Sequence, residues 1–278
     1  MTRLSQFIDA AAVTLAEAGV PAPRVDAELL AAHVAGADRG RLPLIDAGPD
    51  FPDRYDDLIT RRARRIPLQH LVGTAPFGPV EVHVGPGVFI PRPETEALLE
   101  WAMTRNLPEN PVVVDLCTGT GALALALARH LPAARVLAVD DSTRALEYAR
   151  CNVAGTQVEL VEVDVTAPGL LPELDGAVDL VVANPPYIPD GAALEPEVAE
   201  HDPAHALFGG PDGMRVIDAI TALAARWLVD DGFCAVEHDD TTSSRTVESF
   251  TRTGAFDDIT ARLDLAGRPR FVTARRAM

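Results

Sequence analysis

The sequence predicts an α/β fold: a mostly parallel sheet with helices on both faces, its last strand antiparallel, preceded by a small helical domain and a hairpin linker. Three observations predict it. Between residues 112 and 237, short apolar runs at 112–116, 136–140, 158–163, 178–183 and 233–237 alternate with helical patterns that open at Gly121 and Thr143, as parallel strands with crossover helices require. The tail differs, because the strand-like runs 259–265 and 270–274 are joined only by Ala266-Gly267-Arg268-Pro269, too short for a parallel crossover. These two must pair antiparallel, and they bring the sheet to seven strands. Ahead of all this, the first 72 residues carry apolar positions at helical spacing instead.

Taken in order, the first helix is marked by Leu4, Phe7, Ile8, Ala11 and Leu15, with Asp9 and Glu17 breaking the apolar run in a way no signal peptide does. A second follows over 24–35 and a third over 52–65, so residues 1–72 read as a helical docking domain. The run Arg61-Arg62-Ala63-Arg64-Arg65 is the one dense basic patch, open to two readings, a solvated helix face or a partner contact. Over 73–90 the period changes to that of a hairpin linker: Val80, Val82 and Val84 alternate, Gly85-Pro86-Gly87 turns, and Val88-Phe89-Ile90 returns. Residues 91–278 form the sheet domain.

Composition excludes several classes. The 278 residues, 47% hydrophobic, can fill real cores, and no stretch of about 18 uncharged apolar residues offers a membrane span. The formal charge is −17, which disfavours a bare phosphate backbone as partner and fits a basic protein better. All 24 cationic side chains are arginine, so chemistry needing a lysine Schiff base or a P-loop lysine is ruled out. Cys117, Cys151 and Cys234 form no C-x-x-C pair, which points to neither a disulfide framework nor a zinc site and fits a reducing cytoplasm. His201 and His205 flank Asp202, but Pro203 interrupts any helical display of them, so no metal is expected.

The chemistry gathers where strands end. Asp115-Leu116-Cys117-Thr118-Gly119-Thr120-Gly121 follows the first strand of the alternating series and opens a helix, so a ligand can approach the backbone closely and meet helix N–H groups. Its acidic member suits an ammonium better than a pyrophosphate. Asp140 closes the next strand, where a carboxylate can accept from both ribose hydroxyls. Asp164 follows the third, able to take an exocyclic amine, with Val165 beside it to pack a purine face. Each of these also reads as a turn or cap; together they share one edge. At the fourth strand end stands Asn184-Pro185-Pro186-Tyr187, where two prolines freeze the backbone and leave an amide, free carbonyls and a ring to meet a small polar group.

This ordered set resembles the class I S-adenosylmethionine-dependent methyltransferases that act on planar amide or amino nitrogens. The likeness narrows through Arg65-Ile66-Pro67, Gly73 with Phe77, the segment 89–96 containing Pro-Arg-Pro-Glu-Thr-Glu, the Gly turn with its Ala/Leu helix to Ala128, Asn184-Pro-Pro-Tyr-Ile-Pro189, Glu197 to Asp202-Pro203, Ala206-Leu-Phe-Gly-Gly-Pro-Asp-Gly213 and Asp264-Leu-Ala-Gly-Arg268. In these the chain is similar to the HemK/PrmC family of protein-(glutamine-N5) methyltransferases, over nearly its whole length. The resemblance implies S-adenosylmethionine as cofactor and, as substrate, the glutamine of the Gly-Gly-Gln loop in class 1 peptide-chain release factors. It further implies cofactor binding by Asp115, Cys117, Thr118, Gly119, Thr120, Gly121, Asp140, Asp164, Val165 and Asn184. The substrate amide would be gripped by Asn184 and Pro185 and walled by Pro186 and Tyr187, with Asn184, Pro185 and Tyr187 as the catalytic set.

An amide nitrogen is a poor nucleophile, so the chemistry asks for orientation and acceptors, not a strong base. Asn184 Oδ1 and the Pro185 carbonyl can each accept one amide N–H. Two departures stand out. Cys117 occupies a position where the family usually has glycine, so its backbone is expected to suit a side chain, and Glu237-His238 is followed by Asp239-Asp240-Thr241 where glycine is usual. Arg92 and Glu96 read either as part of a lid over the cofactor or as a plain helix start. Rival functions are a glutamine methyltransferase of a ribosomal protein and a nucleic-acid adenine N6 or guanine N2 methyltransferase, since related loops hold flipped bases. A cofactor-binding protein without turnover is a further rival. The acidic charge and the lack of a basic recognition domain argue against a nucleic-acid substrate.

Overall fold

The computed structural model of the chain describes residues 4–278. In chain order its helices are α1 (Leu4–Glu17), α2 (Pro23–Ala35), α3 (Phe51–Ala63), α4 (Leu68–Val72), α5 (Glu96–Met103), α6 (Ala122–His130), α7 (Thr143–Asn152), α8 (Pro196–His201), α9 (Arg215–Trp227) and α10 (Ser243–Thr253). Its strands are β1 (Thr74–Phe77), β2 (Val80–His83), β3 (Val112–Leu116), β4 (Arg135–Asp140), β5 (Glu159–Glu162), β6 (Val178–Ala183), β7 (Leu228–Glu237), β8 (Phe256–Leu263) and β9 (Pro269–Arg276). Contacts divide the chain into two compact units. One runs to Thr74 and takes in Leu194–His201; the other comprises Ala75–Ala193 and Asp202–Met278. The segment expected as a linker over 73–90 therefore lies almost wholly within the second unit. Among the described residues no helix is long and apolar enough to cross a membrane.

The helical unit packs the faces its sequence spacing marks. Leu4, Ile8, Ala11 and Leu15 of α1 are buried against Ala27, Leu30 and Ala31 of α2 and Phe51, Tyr55, Leu58 and Ile59 of α3. Pro23 starts α2, where the missing N–H costs nothing, and Gly36 ends it at φ 60°. The rings of Phe51 and Tyr55 stack at 5.1 Å, and the Tyr55 hydroxyl donates to the Ala27 carbonyl at 2.9 Å, satisfying a buried polar group. The basic run does not form one exposed patch. Arg62 is buried, donating from Nε to Asp26 Oδ2 at 2.7 Å and from Nη2 to Glu197 Oε1 at 3.0 Å. Arg65 reaches the same Glu197 oxygen at 2.8 Å. Burial would raise the Glu197 carboxyl, but its bonds to Arg62 and Arg65 hold it below its ordinary value. Two of the four arginines thus tie α8 into the helical unit, while Arg61 pairs with Asp57 and Arg64 faces solvent.

The second unit is built on a seven-stranded sheet of order β5-β4-β3-β6-β7-β9-β8. The β5-β4, β4-β3, β3-β6 and β6-β7 pairs are parallel, and β9 pairs antiparallel with both β7 and β8. Apolar side chains cover both faces. One face packs Val113, Val136, Leu180 and Val182 against α5 and α6; the other packs Val114, Val139, Val181 and Val236 against α9 and Phe250 of α10. The match to the expected strands is close in the parallel part and looser at the end. Strand β7 begins at Leu228, ahead of the expected residue 233, because its register shifts against β6 between Val178 and Leu180. Strand β8 covers Phe256–Leu263, not 259–265, and its mostly exposed edge position masked it.

The small hairpin is also displaced. Its turn is Gly78-Pro79, with Gly78 at φ 49°, so β1 and β2 are joined by a two-residue connection that only antiparallel strands allow. Gly85-Pro86-Gly87 is no hairpin turn, and Val88 and Ile90 are apolar because they fill the core, not because they pair. Gly85 instead makes room for a neighbouring ring, since a Cβ there would sit 2.4 Å from the Tyr148 hydroxyl. Asn152 fastens the hairpin down, accepting from the His83 N–H at 2.7 Å and donating from Nδ2 to the carbonyls of His83 (3.1 Å) and Thr120 (2.9 Å).

Candidate active site

The chain runs from β3 outward to β4 and β5, then returns to β6 on the other side of β3. The strand order therefore reverses between β3 and β6, and the crevice outside the carboxyl ends of such strands is where α/β sheets bind ligands. The register sets Leu116 beside Val139 on one side and Ala183 on the other. The loops after β3, β4 and β6 thus start as neighbours, and each carries residues singled out in the sequence.

After β3 the backbone must turn sharply into α6. It does so with φ values of 59°, 56° and 78° at Cys117, Gly119 and Gly121. The expectation for Cys117 is corrected here: its backbone is left-handed, the conformation that favours glycine, and this chain holds a side chain in it. Burial, and then the carboxylates of Asp140, Asp141, Asp115 and Asp164, push the thiol well above its ordinary range, which disfavours the thiolate. Thr118 stitches the turn to the sheet by donating its N–H to the Val139 carbonyl at 2.9 Å and its hydroxyl to Asp115 Oδ2 at 2.6 Å. The carbonyls of Thr118 and Thr120 are taken by Gly121 N–H and Asn152. A Cβ on Gly119 would meet nothing within 4 Å, so open space lies over this glycine.

Asp115 is wholly buried. Its Oδ2 also accepts from the Ala124 N–H at 3.1 Å, while Oδ1 is buried with no partner. Burial pushes its carboxyl up to about 7. An orphaned acceptor of this kind is what a cationic group would satisfy. Asp140 closes β4 with Oδ2 on the Gly119 N–H at 2.8 Å and Oδ1 on the Ser142 N–H at 2.9 Å. Both oxygens retain lone pairs for hydroxyl donors, and burial raises this carboxyl too. Asp164 stands two residues beyond the end of β5, exposed, with Oδ1 accepting from Thr166 N–H and Oγ1 at 2.7 Å each, which lowers its carboxyl. Val165 is buried in the apolar cluster behind it. An unpaired buried carboxylate oxygen, a ribose-type acceptor and open space over a glycine fit a ligand carrying an ammonium and a vicinal diol.

At the end of β6, Asn184 donates from Nδ2 to Thr95 Oγ1 at 3.0 Å. Among the described residues nothing donates to its Oδ1. The stiff loop that follows is clamped from outside: Ile188 N–H donates to the Leu207 carbonyl and Gly209 N–H to the Ile188 carbonyl, each at 2.9 Å. A Cβ on Gly209 would lie 2.5 Å from the Pro186 carbonyl, and one on Gly213 would lie 2.2 Å from that of Tyr187. This explains the glycines of the 206–213 motif, which let two backbones touch. Tyr187 turns its hydroxyl inward to Glu237 Oε1 at 3.0 Å. Glu237, almost wholly buried, is pushed up by burial to about 7 despite the Thr95 and Tyr187 hydroxyls that draw it down.

The structure therefore gathers Asp115, the Gly turn, Asp140 and Asn184-Pro-Pro-Tyr187 at one sheet edge, with Asp164 and Val165 at the end of the adjoining β5 loop. The guanidinium of Arg92 pairs with buried Asp202 and lies 4.9 Å from the Phe89 ring centroid. His205 pairs with Asp141 at 2.6 Å. Sequence reasoning missed Thr95, buried behind Asn184, and the inward role of Glu237. The signals were present as the threonine of Pro-Arg-Pro-Glu-Thr-Glu and the lone acid closing the fifth strand of the parallel series, but only the fold joins them.

Residues 80–206 match the methyltransferase small domain family and residues 6–73 the PrmC N-terminal domain family. The chain is 71% identical over 277 residues to a release factor glutamine methyltransferase of Mycolicibacterium smegmatis, with 99% of each chain covered. It is 65% identical over 278 residues to a protein of the same description from Mycobacterium tuberculosis, covering 98% of this chain and 91% of that one. Among solved structures, a methyltransferase from Pyrococcus furiosus shares the fold with a TM-score of 0.55 at 18% identity, over 79% of this chain and 99% of its own.

Proposed function

Because the chain belongs to the release factor glutamine methyltransferase family, we propose that it transfers a methyl group from S-adenosylmethionine to the side-chain nitrogen of the glutamine in the Gly-Gly-Gln loop of class 1 peptide-chain release factors. The observation that carries this reading is Asn184: its Nδ2 is occupied by Thr95, which leaves Oδ1 as an open acceptor beside the Gly turn. When bound, the cofactor supplies an electrophilic methyl on a sulfonium. Asp115 Oδ1 would hold its ammonium, Asp140 its ribose hydroxyls, and Asp164 with Val165 its adenine.

The protein's own residues then do three things. Asn184 Oδ1 and the Pro185 carbonyl accept the two amide N–H groups and fix the nitrogen in plane, which turns an encounter into an oriented reaction. The same acceptors favour the positive charge that grows on nitrogen as the new bond forms. Tyr187, held by Glu237, and Pro186 give the loop the rigidity to keep those acceptors aimed. The surplus proton of the methylated amide is acidic enough to leave to water, so no strong base is required.

The test is to supply labelled S-adenosylmethionine with, separately, a release factor, its Gln→Ala loop variant, ribosomal proteins and RNA. Label on the release factor, lost in the variant, is the expected result; label on ribosomal protein or RNA alone would overturn the substrate. Asn184→Ala should nearly abolish transfer while leaving cofactor affinity largely intact, and Asp140→Ala should weaken cofactor binding, both read by calorimetry beside turnover.

A further inference from the structure

The segment Asp264-Leu-Ala-Gly-Arg268 takes no part in the cofactor or amide sites, and the sheet shows where it lies. Strand β9 runs antiparallel to β7, and β8 antiparallel to β9, so β8 ends at the same carboxyl edge as β7. The register aligns Glu237, which holds the Tyr187 hydroxyl, with Phe271, and Phe271 with Arg262. The turn joining β8 to β9 therefore projects beyond that row. In the strand order β8 lies three places from β6, so the turn stands about 15 Å from the strand end that bears Asn184. It is on the side away from β4 and β5, whose loops carry Asp140 and Asp164.

Asp264 makes this turn rigid. Its side chain is buried, with Oδ1 accepting from the N–H groups of Ala266 and Arg268 at 2.9 Å each and Oδ2 from Arg270 Nε at 3.3 Å. Its backbone N–H donates to the Arg268 carbonyl at 2.8 Å, and its carbonyl accepts from the Gly267 N–H at 3.0 Å. What the turn holds out is unlike its surroundings. Leu263 is 58% exposed and Leu265 78%. Arg262 and Arg268 are exposed beside them, and among the described residues neither pairs with a carboxylate. In a chain of formal charge −17 this is a local reversal of sign. A surface already ordered in this way loses little conformational freedom when a partner covers it.

We propose that the 262–268 turn is a docking surface for the protein that carries the target glutamine: Leu263 and Leu265 pack against apolar side chains flanking its loop, and Arg262 and Arg268 pair with carboxylates beside them. The inference rests on the glutamine-methylation reading above. Size decides the occupant. A specific protein interface covers about 800 Å² on each partner, a disc of about 16 Å radius. A folded protein that delivers one side chain to Asn184 thus reaches the turn, and the cationic patch on an acidic enzyme selects one orientation of it.

Leu265→Asp and Arg268→Glu are each expected to raise KM for a release factor about tenfold, with kcat and S-adenosylmethionine affinity unchanged, while Leu265→Met stays near wild type. Calorimetric binding of the release factor to the enzyme should weaken in parallel, and melting temperatures should hold because both side chains are exposed. If wild type methylates the release factor and both variants keep its KM and Kd, or lose only kcat, the docking surface is overturned and the substrate reading stands. A wild type that neither binds nor methylates the release factor overturns the substrate reading, and the docking surface with it. A wild-type dimer that Leu265→Asp splits in sedimentation would assign the turn to a second copy of the chain, against the proposal.

Discussion

Cys117 shows what a single side chain costs in the wrong part of backbone space. At φ 59° it holds a conformation that penalises any Cβ by on the order of 1 kcal/mol, and its thiol is kept neutral by burial and acidic neighbours. Cys117→Gly should therefore raise the melting temperature, and Cys117→Val should lower it; a glycine variant less stable than wild type would refute the strain. Asp115 makes a second prediction at the same scale. Its carboxyl, raised by burial to about 7, must be ionised to hold a cation, so cofactor affinity should fall as pH drops below about 7 and be far less pH-dependent in Asp115→Asn. The sign for the unliganded protein is opposite. Because the folded value exceeds the unfolded one, the stability this group confers is complete below about pH 4 and is lost as pH rises through about 7. Equal cofactor affinity at pH 6 and pH 8 would exclude this role for Asp115.

The stiff loop after β6 works only because another loop lets it in. Gly213, at φ 77° with no room for a Cβ against the Tyr187 carbonyl, should tolerate nothing larger, so Gly213→Ala is expected to cost about 1–3 kcal/mol and to reduce turnover by displacing Asn184-Pro-Pro-Tyr187. Chemical denaturation and kcat together check it. Elements differ in how far the sequence announced them, for physical reasons. Strands β3, β4 and β6 are buried on both faces and read as nearly continuous apolar runs, so their limits were legible to within a residue. Strand β8 lies at the sheet edge with mostly exposed side chains, so its pattern carries little of the core. The hairpin was misplaced because Val88 and Ile90 are apolar for packing, which alternation cannot distinguish from pairing. In the site, single strand-end acids and the proline pair were legible because each has its own chemistry. Thr95 was not, since it meets Asn184 only across 89 positions of sequence.

As a whole the molecule carries a formal charge of −17 with arginine its only strong cation, and several arginines are committed to internal pairs such as Arg62 with Asp26 and Arg270 with Asp264. Capture of a basic protein partner should therefore be steered by long-range attraction. Raising salt from low to physiological strength is expected to lower kcat/KM while leaving kcat nearly unchanged, and a salt-independent kcat/KM would argue for docking through apolar contact alone. The internal pairs matter for stability as well. Arg62→Ala strands Asp26 beside apolar neighbours and should cost about 3–5 kcal/mol, read as a lower denaturation midpoint. The other carboxylate on Arg62 sets the order of manufacture. Glu197 sits on α8, far downstream of the helices it stabilises, so a nascent chain that has emerged only through Thr74 lacks a member of its own buried ion cluster. The first domain to leave the ribosome is thus finished only after much of the second has been made, and neither can be excised at one cut.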